Sequence, residues 1–227
     1  MPRLIYLVFL TFSAESFYQS LQPSPSTYKA EIILERNEQD TWRTIDPRLV
    51  LDEGDRVRFR FRSNNSGYLY VSDRNTSGTY DILFPGAETG SQNKVEPGRE
   101  YIVPANDGWF RIAGPPGQEI IYWLLSPIQL IGLEQRTKSQ VHSQPSDATS
   151  LSPRCDASIF RARGDCIDTS AGIKELSNTT SLPHDLAALP NLRFRDLVFI
   201  RQKDVSTVSS SAVLNGPVIY EFRLAHR

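Results

Sequence analysis

The chain has 227 residues, of which 39% are hydrophobic and 22% are charged, a composition that is ordinary for a globular protein and excludes wholesale disorder. Its 25 basic and 26 acidic residues leave a formal net charge of −1, so no global field draws it to nucleic acid or to an anionic membrane. We therefore expect no nucleic-acid partner, and other partners must be sought in local patterns.

The first residues predict export. Arg3 precedes an apolar run over residues 4–12, and small residues follow as far as Ser16. This is the layout of a secretory signal, and the run is too short to span a bilayer as a helix. We expect a signal peptide over residues 1–16, a periplasmic or cell-surface location, and no integral membrane segment after processing. A buried first strand of a cytosolic domain is the alternative.

A strand over residues 56–62 is the clearest pattern in the chain, and an opening strand over residues 28–34 precedes it. In residues 56–62 apolar side chains alternate with arginines. At a period of two, this alternation places the apolar side chains on one face of a half-buried strand and the arginines on the other. Turn signals at residues 64–67 and 73–78 lead to strands at 68–71 and 80–84, which predicts an antiparallel meander. The predicted core comprises Val57, Phe59, Phe61, Leu69, Val71, Ile82, Phe84 and Ile121.

Further strands are predicted by apolar segments between turn signals, at residues 101–104, 109–112 and 119–125. Several short strands at such spacing predict an all-β, antiparallel β-sandwich, Ig-like or jelly-roll-like, over residues 28–126.

The composition then turns polar, which predicts a linker or loop over residues 127–153. Residues 154–227 carry short helical patterns over 171–189 and strand patterns at 196–201, 205–209 and 218–224. The last of these strands is too apolar to remain in water, so we expect this C-terminal extension to pack on the sandwich and complete it.

The two cysteines, Cys155 and Cys166, lie close together in the chain. They form no CxxC motif and have no nearby histidine to complete a zinc site. In an exported chain a disulfide is favoured over two unrelated buried thiols, and it would stabilise the fold by about 3 kcal/mol.

Several short signatures follow one another over residues 28–126. They are Gly54-Asp55-Arg56 before an aromatic strand, Gly67-Tyr68-Leu69-Tyr70-Val71, Leu83-Phe84-Pro85, Tyr101-Ile102-Val103-Pro104 and Gly117-Gln118-Glu119. In this order they resemble the bacterial domain of unknown function 4384, and residues 154–227 resemble the C-terminal extension of a subset of that family. The resemblance implies an exported or surface-associated β domain that is often attached to other modules. It brings no activity and no catalytic residues.

The arginine row gives the one binding hypothesis. Repeated guanidinium groups on a sheet can bind an anionic glycan, a phosphorylated polymer or a partner's carboxylates, and Tyr68 or Tyr70 would stack on a sugar or base. The candidate binding residues are Arg56, Arg58, Arg60, Arg62, Tyr68 and Tyr70. The alternative is that Glu31 and Glu35 on an adjoining strand neutralise the row.

Other chemical motifs are weak. Residues 73–78 resemble the start of a calcium loop, but Phe84 stands where such a loop needs its bidentate glutamate, so a polar hairpin is the alternative. The histidines are scattered, and carboxylates for glycoside cleavage can be chosen only from a broad set: Asp46, Asp52, Glu53, Asp55, Asp81 and Glu119. No catalytic residue, metal ligand or cofactor is predicted.

Two function classes therefore remain. The favoured one is a non-catalytic interaction or accessory module of the bacterial cell envelope, with an envelope protein or an anionic glycan as partner. The alternative is an envelope glycan hydrolase with unassigned carboxylates. A deep cleft with converging carboxylates favours the enzyme, and a flat surface with an exposed aromatic or arginine patch favours the binding module.

Overall fold

The computed structural model describes residues 27–86, 92–105, 108–130, 153, 155, 165–178, 182 and 184–227. The signal peptide predicted over residues 1–16 and most of the linker predicted over 127–153 lie outside these ranges. The strands are β1 (Thr27–Glu38), β2 (Thr41–Thr44), β3 (Arg56–Ser63), β4 (Gly67–Arg74), β5 (Tyr80–Phe84), β6 (Lys94–Val95), β7 (Glu100–Val103), β8 (Phe110–Arg111), β9 (Gly117–Ser126), β10 (Gly172–Lys174), β11 (Leu197–Gln202), β12 (Val205–Val213) and β13 (Val218–His226), with one short helix, α1 (His184–Ala187).

The strands form two antiparallel sheets that pack face to face, which confirms the predicted all-β sandwich. The first sheet has the order β11-β12-β1-β3-β7, with β2 paired to β1 and β8 paired to β3. The second sheet has the order β10-β13-β9-β4-β5, with β6 paired to β4. Strands from the C-terminal third enter both sheets: β12 pairs with β1, and β13 pairs with β9 at nine successive positions.

The core lies between the two sheets. Trp123 of β9 is fully buried at its centre, with its ring centroid 5.3 Å from that of Phe59 and 5.5 Å from that of Phe61. The apolar side of β3 therefore faces inward, as its alternation predicts. Seven of the eight predicted core residues belong to this cluster: Val57, Phe59, Phe61, Leu69, Val71, Phe84 and Ile121.

The prediction for Ile82 is wrong, and a β-bulge is the reason. Val71 pairs with Phe84, but Ser72 pairs with Ile82, so Leu83 is an extra residue in β5. The bulge turns Leu83 toward the core cluster, while Ile82 lies with Ser72 on the other face of the second sheet.

The predicted meander is wrong at its first turn. β3 and β4 lie in different sheets, so the chain at residues 64–67 crosses the sandwich instead of closing a hairpin, whereas β4 and β5 do pair. At the crossing Gly67 lies so close to β9 that a Cβ there would be 2.7 Å from the carbonyl oxygen of Ser126. Alternation determines which face of a strand is buried, but not which strand supplies its hydrogen bonds.

The outer face of the second sheet is covered by the C-terminal extension. Tyr70, Tyr122 and Ile219 of this face form a second apolar cluster with Leu176, Leu182 and Leu186. The helical patterns over residues 171–189 are only partly right, because α1 has four residues and β10 occupies part of the range. The described residues contain no helix long and apolar enough to cross a membrane.

Candidate binding surface

The outer face of the first sheet carries the four arginines of β3 at alternate positions, Arg56, Arg58, Arg60 and Arg62, and we call it the arginine face. The register places Glu31, Ile33 and Glu35 of β1 beside Arg62, Arg60 and Arg58. On the other side of β3, Glu100 of β7 lies beside Arg62 and Arg111 of β8 beside Arg56. Because opposite residues of an antiparallel pair point to the same face, these side chains meet on one surface.

The middle of the row is fixed within the sheet. Arg58 donates from Nε to Oε2 of Glu35 at 2.7 Å, and Nε of Arg60 lies 3.1 Å from Oε1 of the same carboxylate. Glu35 is only 6% exposed, so its charge needs both guanidinium groups. The Arg58 guanidinium also lies over the ring of Trp42, with its carbon 4.3 Å from the ring centroid.

The ends of the row are more open. Arg62 donates to Oε2 of Glu31 at 2.6 Å, but the Arg62 side chain remains 54% exposed. That hydrogen bond, followed by one from Lys29, holds the pKa of Glu31 below its usual value. A groove of about 220 Å³ opens beside this pair, lined by Lys29, Glu31, Arg62, Ser63, Asn64 and Gly98.

At the other end of the row, the guanidinium carbon of Arg56 lies 5.3 Å from the ring centroid of Trp109. Trp109 is 45% exposed, which is unusual for so large an apolar side chain. The arginine face therefore presents an accessible indole beside an exposed arginine. Across β1, β3, β7 and β8 it carries six cationic side chains and three carboxylates, an excess of three positive charges: Lys29, Arg56, Arg58, Arg60, Arg62 and Arg111 against Glu31, Glu35 and Glu100.

Tyr68 and Tyr70 do not join this surface. They lie on β4, and their side chains face the outside of the second sheet, where the C-terminal extension packs against them. Tyr70 is 5% exposed, and its hydroxyl accepts a hydrogen bond from the backbone N–H of Leu130 at 2.7 Å. The two tyrosines therefore have a packing role. The prediction that they share a surface with the arginines is wrong, because β3 and β4 lie in different sheets.

The aromatic partners of the arginines are Trp42 and Trp109 instead. Sequence reasoning missed them because Trp42 comes from β2 and Trp109 lies beside β8, so neither is near β3 in the chain. For Trp42 the available signal was an isolated tryptophan in a short polar segment, and for Trp109 it was a tryptophan at the start of the strand predicted at residues 109–112.

A buried carboxyl cluster lies at one end of the sandwich. Asp73 of β4 is opposite Ile121 of β9, Glu119 lies two residues further along the same face, and His226 of β13 completes the group. His226 Nε2 is 3.1 Å from Oε1 of Glu119, and both residues are buried. Burial, then the charge of Glu119 and a hydrogen bond with it, raises the pKa of Asp73 well above its usual value.

The hairpin between β4 and β5 shows how the calcium-like sequence is used. Asn75 Oδ1 accepts hydrogen bonds from the backbone N–H groups of Ser77 and Thr79, both at 3.0 Å. Asp73 is part of β4, and its side chain is directed to Glu119, so it does not join the loop oxygens. The contacts are those of a polar hairpin. Within the described ranges no group of three His, Cys, Asp or Glu side chains could hold a metal ion.

Cys155 and Cys166 are joined by a disulfide, with their Cα atoms 4.9 Å apart. The carbonyl of Cys166 accepts a hydrogen bond from the backbone N–H of Val50 at 2.8 Å, so the bridge holds the start of the C-terminal extension against the first half of the chain.

Comparison with known proteins identifies one segment. Residues 50–129 match the family model described as Domain of unknown function (DUF4384). The chain contains a DUF4384 domain. This confirms the resemblance to the domain family over residues 50–129, while the resemblance of residues 154–227 to a C-terminal extension of that family stays a prediction. No curated protein and no solved structure matches the chain.

The DUF4384 segment contains β3 to β9, and therefore the arginine row, Trp109 and two members of the carboxyl cluster. It lacks β1, the middle strand of the first sheet, and β13, which lies between β10 and β9 in the second sheet. Trp42 and His226 also lie outside it. Both the sandwich and the arginine face therefore depend on residues beyond the matched segment.

Proposed function

We propose that the chain is a non-catalytic interaction module of the bacterial cell envelope, and that its arginine face binds an anionic glycan. One observation carries the proposal: Trp109 is 45% exposed on a sheet face with an excess of positive charge. The outer face of the other sheet is covered by the chain's own C-terminal extension. A flat, open face with an indole and guanidinium groups suits the ring face and acidic groups of a charged sugar polymer.

The contacts assign different roles to the arginines. The pair of Arg62 and Glu31 lies at the surface, with Arg62 54% exposed and Glu31 half-buried, and surface pairs contribute only about 0–1 kcal/mol, so a ligand carboxylate can replace Glu31 at little cost. Glu35 is buried between Arg58 and Arg60, so those two arginines are needed to neutralise it. We therefore assign ligand contact to Arg56, Arg62 and Trp109, and a structural role to Arg58 and Arg60.

The geometry of the carboxyl cluster argues against the hydrolase alternative. Glycosidases hold their two carboxyl groups about 5 to 9.5 Å apart to accommodate the sugar or a water. Asp73 and Glu119 are in direct hydrogen-bond contact, which leaves no such space. Three surface cavities, which are lined in turn by Asn191, by Tyr70 and by Lys29 among other residues, do not include either carboxyl group.

The experiment is a binding titration of the disulfide-bonded protein with alginate oligosaccharides, which carry a carboxylate on every sugar, and with neutral dextran as the control ligand. We expect alginate to bind and dextran not to bind, with affinity falling as salt rises. Arg62→Ala should weaken binding roughly tenfold, since charge-assisted contacts contribute about 1.5–3 kcal/mol. Trp109→Ala should weaken it by a similar factor, because it removes the exposed aromatic surface on which a sugar ring packs. Arg227→Ala is the matched control and should change nothing, because Arg227 is an exposed arginine that follows β13 and pairs with Asp52.

Two outcomes would contradict the proposal. One is equal binding of dextran and alginate, and the other is alginate binding that survives both substitutions on the arginine face. If the chain binds no glycan but binds an envelope protein through Trp109, then the partner is that protein and the glycan proposal is wrong.

Export is part of the same proposal. The disulfide supports an oxidising compartment, since such bonds are rare in the cytosol. N-terminal sequencing and non-reducing mass measurement of the natural protein test it. We expect a chain that begins within a few residues of Ser16 and lacks free thiols. A full-length, reduced protein in the cytosol would contradict it.

A further inference from the structure

A second concave site lies at the rim of the sandwich, away from the arginine row. It is formed by the chain segment that enters β11 and by the turn that enters β13. Its volume is about 510 Å³, within the range of about 300–1,000 Å³ typical of small-molecule sites. The lining residues are Asn191, Leu192, Arg193, Phe194, Arg195, Asp196, Asn215 and Gly216.

The walls of this cavity are held by backbone contacts. The N–H of Arg193 donates to the carbonyl of Pro217 at 2.8 Å, and the carbonyl of Arg193 accepts from the N–H of Ile219 at 2.9 Å. Gly216 is packed so closely that a Cβ there would lie 2.6 Å from the carbonyl oxygen of Asn191. The backbone of one wall is therefore pinned to β13, and the site is preformed.

Two apolar side chains on this segment anchor it to the rest of the molecule. Leu192 and Phe194 pack against the apolar cluster on the outer face of the second sheet. This leaves two arginines at the cavity. The Arg195 guanidinium lies 5.3 Å from the ring centroid of Phe194, and within the described part of the chain it has no carboxylate partner. Arg193 Nη1 is 3.6 Å from Oδ2 of Asp196, whose side chain is 78% exposed.

We propose that this cavity binds a small polar ligand through one oxyanion, either a carboxylate or a phosphate. Two arginines against one aspartate leave an excess of one positive charge. A guanidinium fork matches both types of oxyanion, and the amides of Asn191 and Asn215 supply further donors. The cavity is much larger than one oxyanion needs, because a water molecule occupies only about 30 Å³, so the ligand has a polar body of about the size of a monosaccharide. The site is independent of glycan binding at the arginine face.

The experiment uses the full, disulfide-bonded chain and three probes that share a hexose ring: D-glucuronate, glucose phosphate and glucose. The carboxylate and phosphate arms distinguish the two sources of the oxyanion, and glucose tests the need for charge. Binding is followed by NMR at the side-chain amides of Asn191 and Asn215 and by calorimetry. We expect one of the charged probes to bind and to shift both amides, and we expect glucose not to bind.

Three variants locate the site. Arg195→Ala should weaken binding about tenfold or more. Asn215→Asp is nearly isosteric and should also abolish binding, because it places a carboxylate in the cavity. Arg99→Ala, an exposed arginine elsewhere, is the matched control and should bind as the natural chain does.

The proposal would be overturned by failure of both charged probes to bind at millimolar concentration, by equal binding of glucose, or by affinity that survives both Arg195→Ala and Asn215→Asp. Because Arg195 and Asn215 are exposed, both variants should keep the circular dichroism spectrum of the natural chain. Loss of alginate binding on the arginine face would leave this result unchanged, so the two proposals fail separately.

Discussion

The hydroxyl groups of Tyr28 and Tyr220 meet inside the sandwich, 3.0 Å apart, and this contact gives a sharp test of the fold. Tyr28 lies in β1 and Tyr220 in β13, so the bond joins the two sheets and the two ends of the described chain. Both side chains are fully buried. Burial, followed by the proximity of Tyr220, raises the pKa of Tyr28 well above its usual value, so its hydroxyl stays neutral at neutral pH.

The expected magnitudes follow from the pairing. Tyr220→Phe leaves the Tyr28 hydroxyl buried without its partner, which costs about 1–3 kcal/mol, and Tyr28→Phe should cost a similar amount. Replacing both removes two polar groups at once and should cost little more than either single change. The double-mutant cycle should therefore show a coupling of about 1–3 kcal/mol.

The assay is urea unfolding of the natural chain, both single variants and the double variant, with the disulfide intact. Tyr101→Phe is the matched control, because its partly exposed hydroxyl accepts a bond from the N–H of Glu96 and water can replace it; we expect a cost of about 1 kcal/mol or less. Additive costs in the cycle, or single variants as stable as the natural chain, would refute the juxtaposition of β1 and β13.

Three further predictions concern stability. Glu35→Ala should cost about 3 kcal/mol because it leaves two partly buried arginines without their carboxylate, whereas Arg62→Ala should cost less than about 1 kcal/mol; equal costs in urea unfolding would contradict the assigned burial. In the folded protein Asp73 keeps its proton at pH values above about 3.9, which is the pKa of an unfolded aspartate. Its contribution to the free energy of unfolding therefore falls as pH rises from about 3.9 through the raised pKa of the folded state. Asp73→Asn should remove that loss and flatten the stability profile as pH rises above the unfolded pKa of Asp73, and parallel profiles of the two proteins would contradict a raised pKa. A fragment of residues 50–129 should be unfolded or aggregated, because it lacks an interior strand of each sheet, β1 in the first and β13 in the second; a soluble fragment with a cooperative thermal transition, compared with residues 27–227, would disprove this.

The sequence predicted local faces well and long-range partners poorly. The alternation in β3 correctly placed Phe59 and Phe61 inside and the arginines outside, because side-chain direction follows directly from a period of two. It did not predict that β3 and β4 lie in different sheets. That choice depends on β1 and β9, which the turn residues between β3 and β4 do not encode. The bulge at Leu83 is a further local event that inverted the placement of Ile82.

The candidate site was predicted in part for the same reason. One strand provides the arginine row, so its face could be read from the chain. Trp42 and Trp109 reach it through strand pairings distant in sequence, and Asp73 meets Glu119 and His226 only when β4, β9 and β13 align. Such groups appear only once the sheet order is known.

The most direct test of the arginine face uses the three tryptophans. Trp42 and Trp109 lie on this face, and Trp123 is fully buried between the sheets. Their indole N–H signals can be assigned with Trp42→Phe and Trp109→Phe and then followed by NMR during titration with alginate oligosaccharides. We predict that the Trp109 signal moves most, that of Trp42 moves with it, and that of Trp123 stays in place. Binding that leaves the Trp42 and Trp109 signals unchanged, or no binding at low salt, would contradict the account.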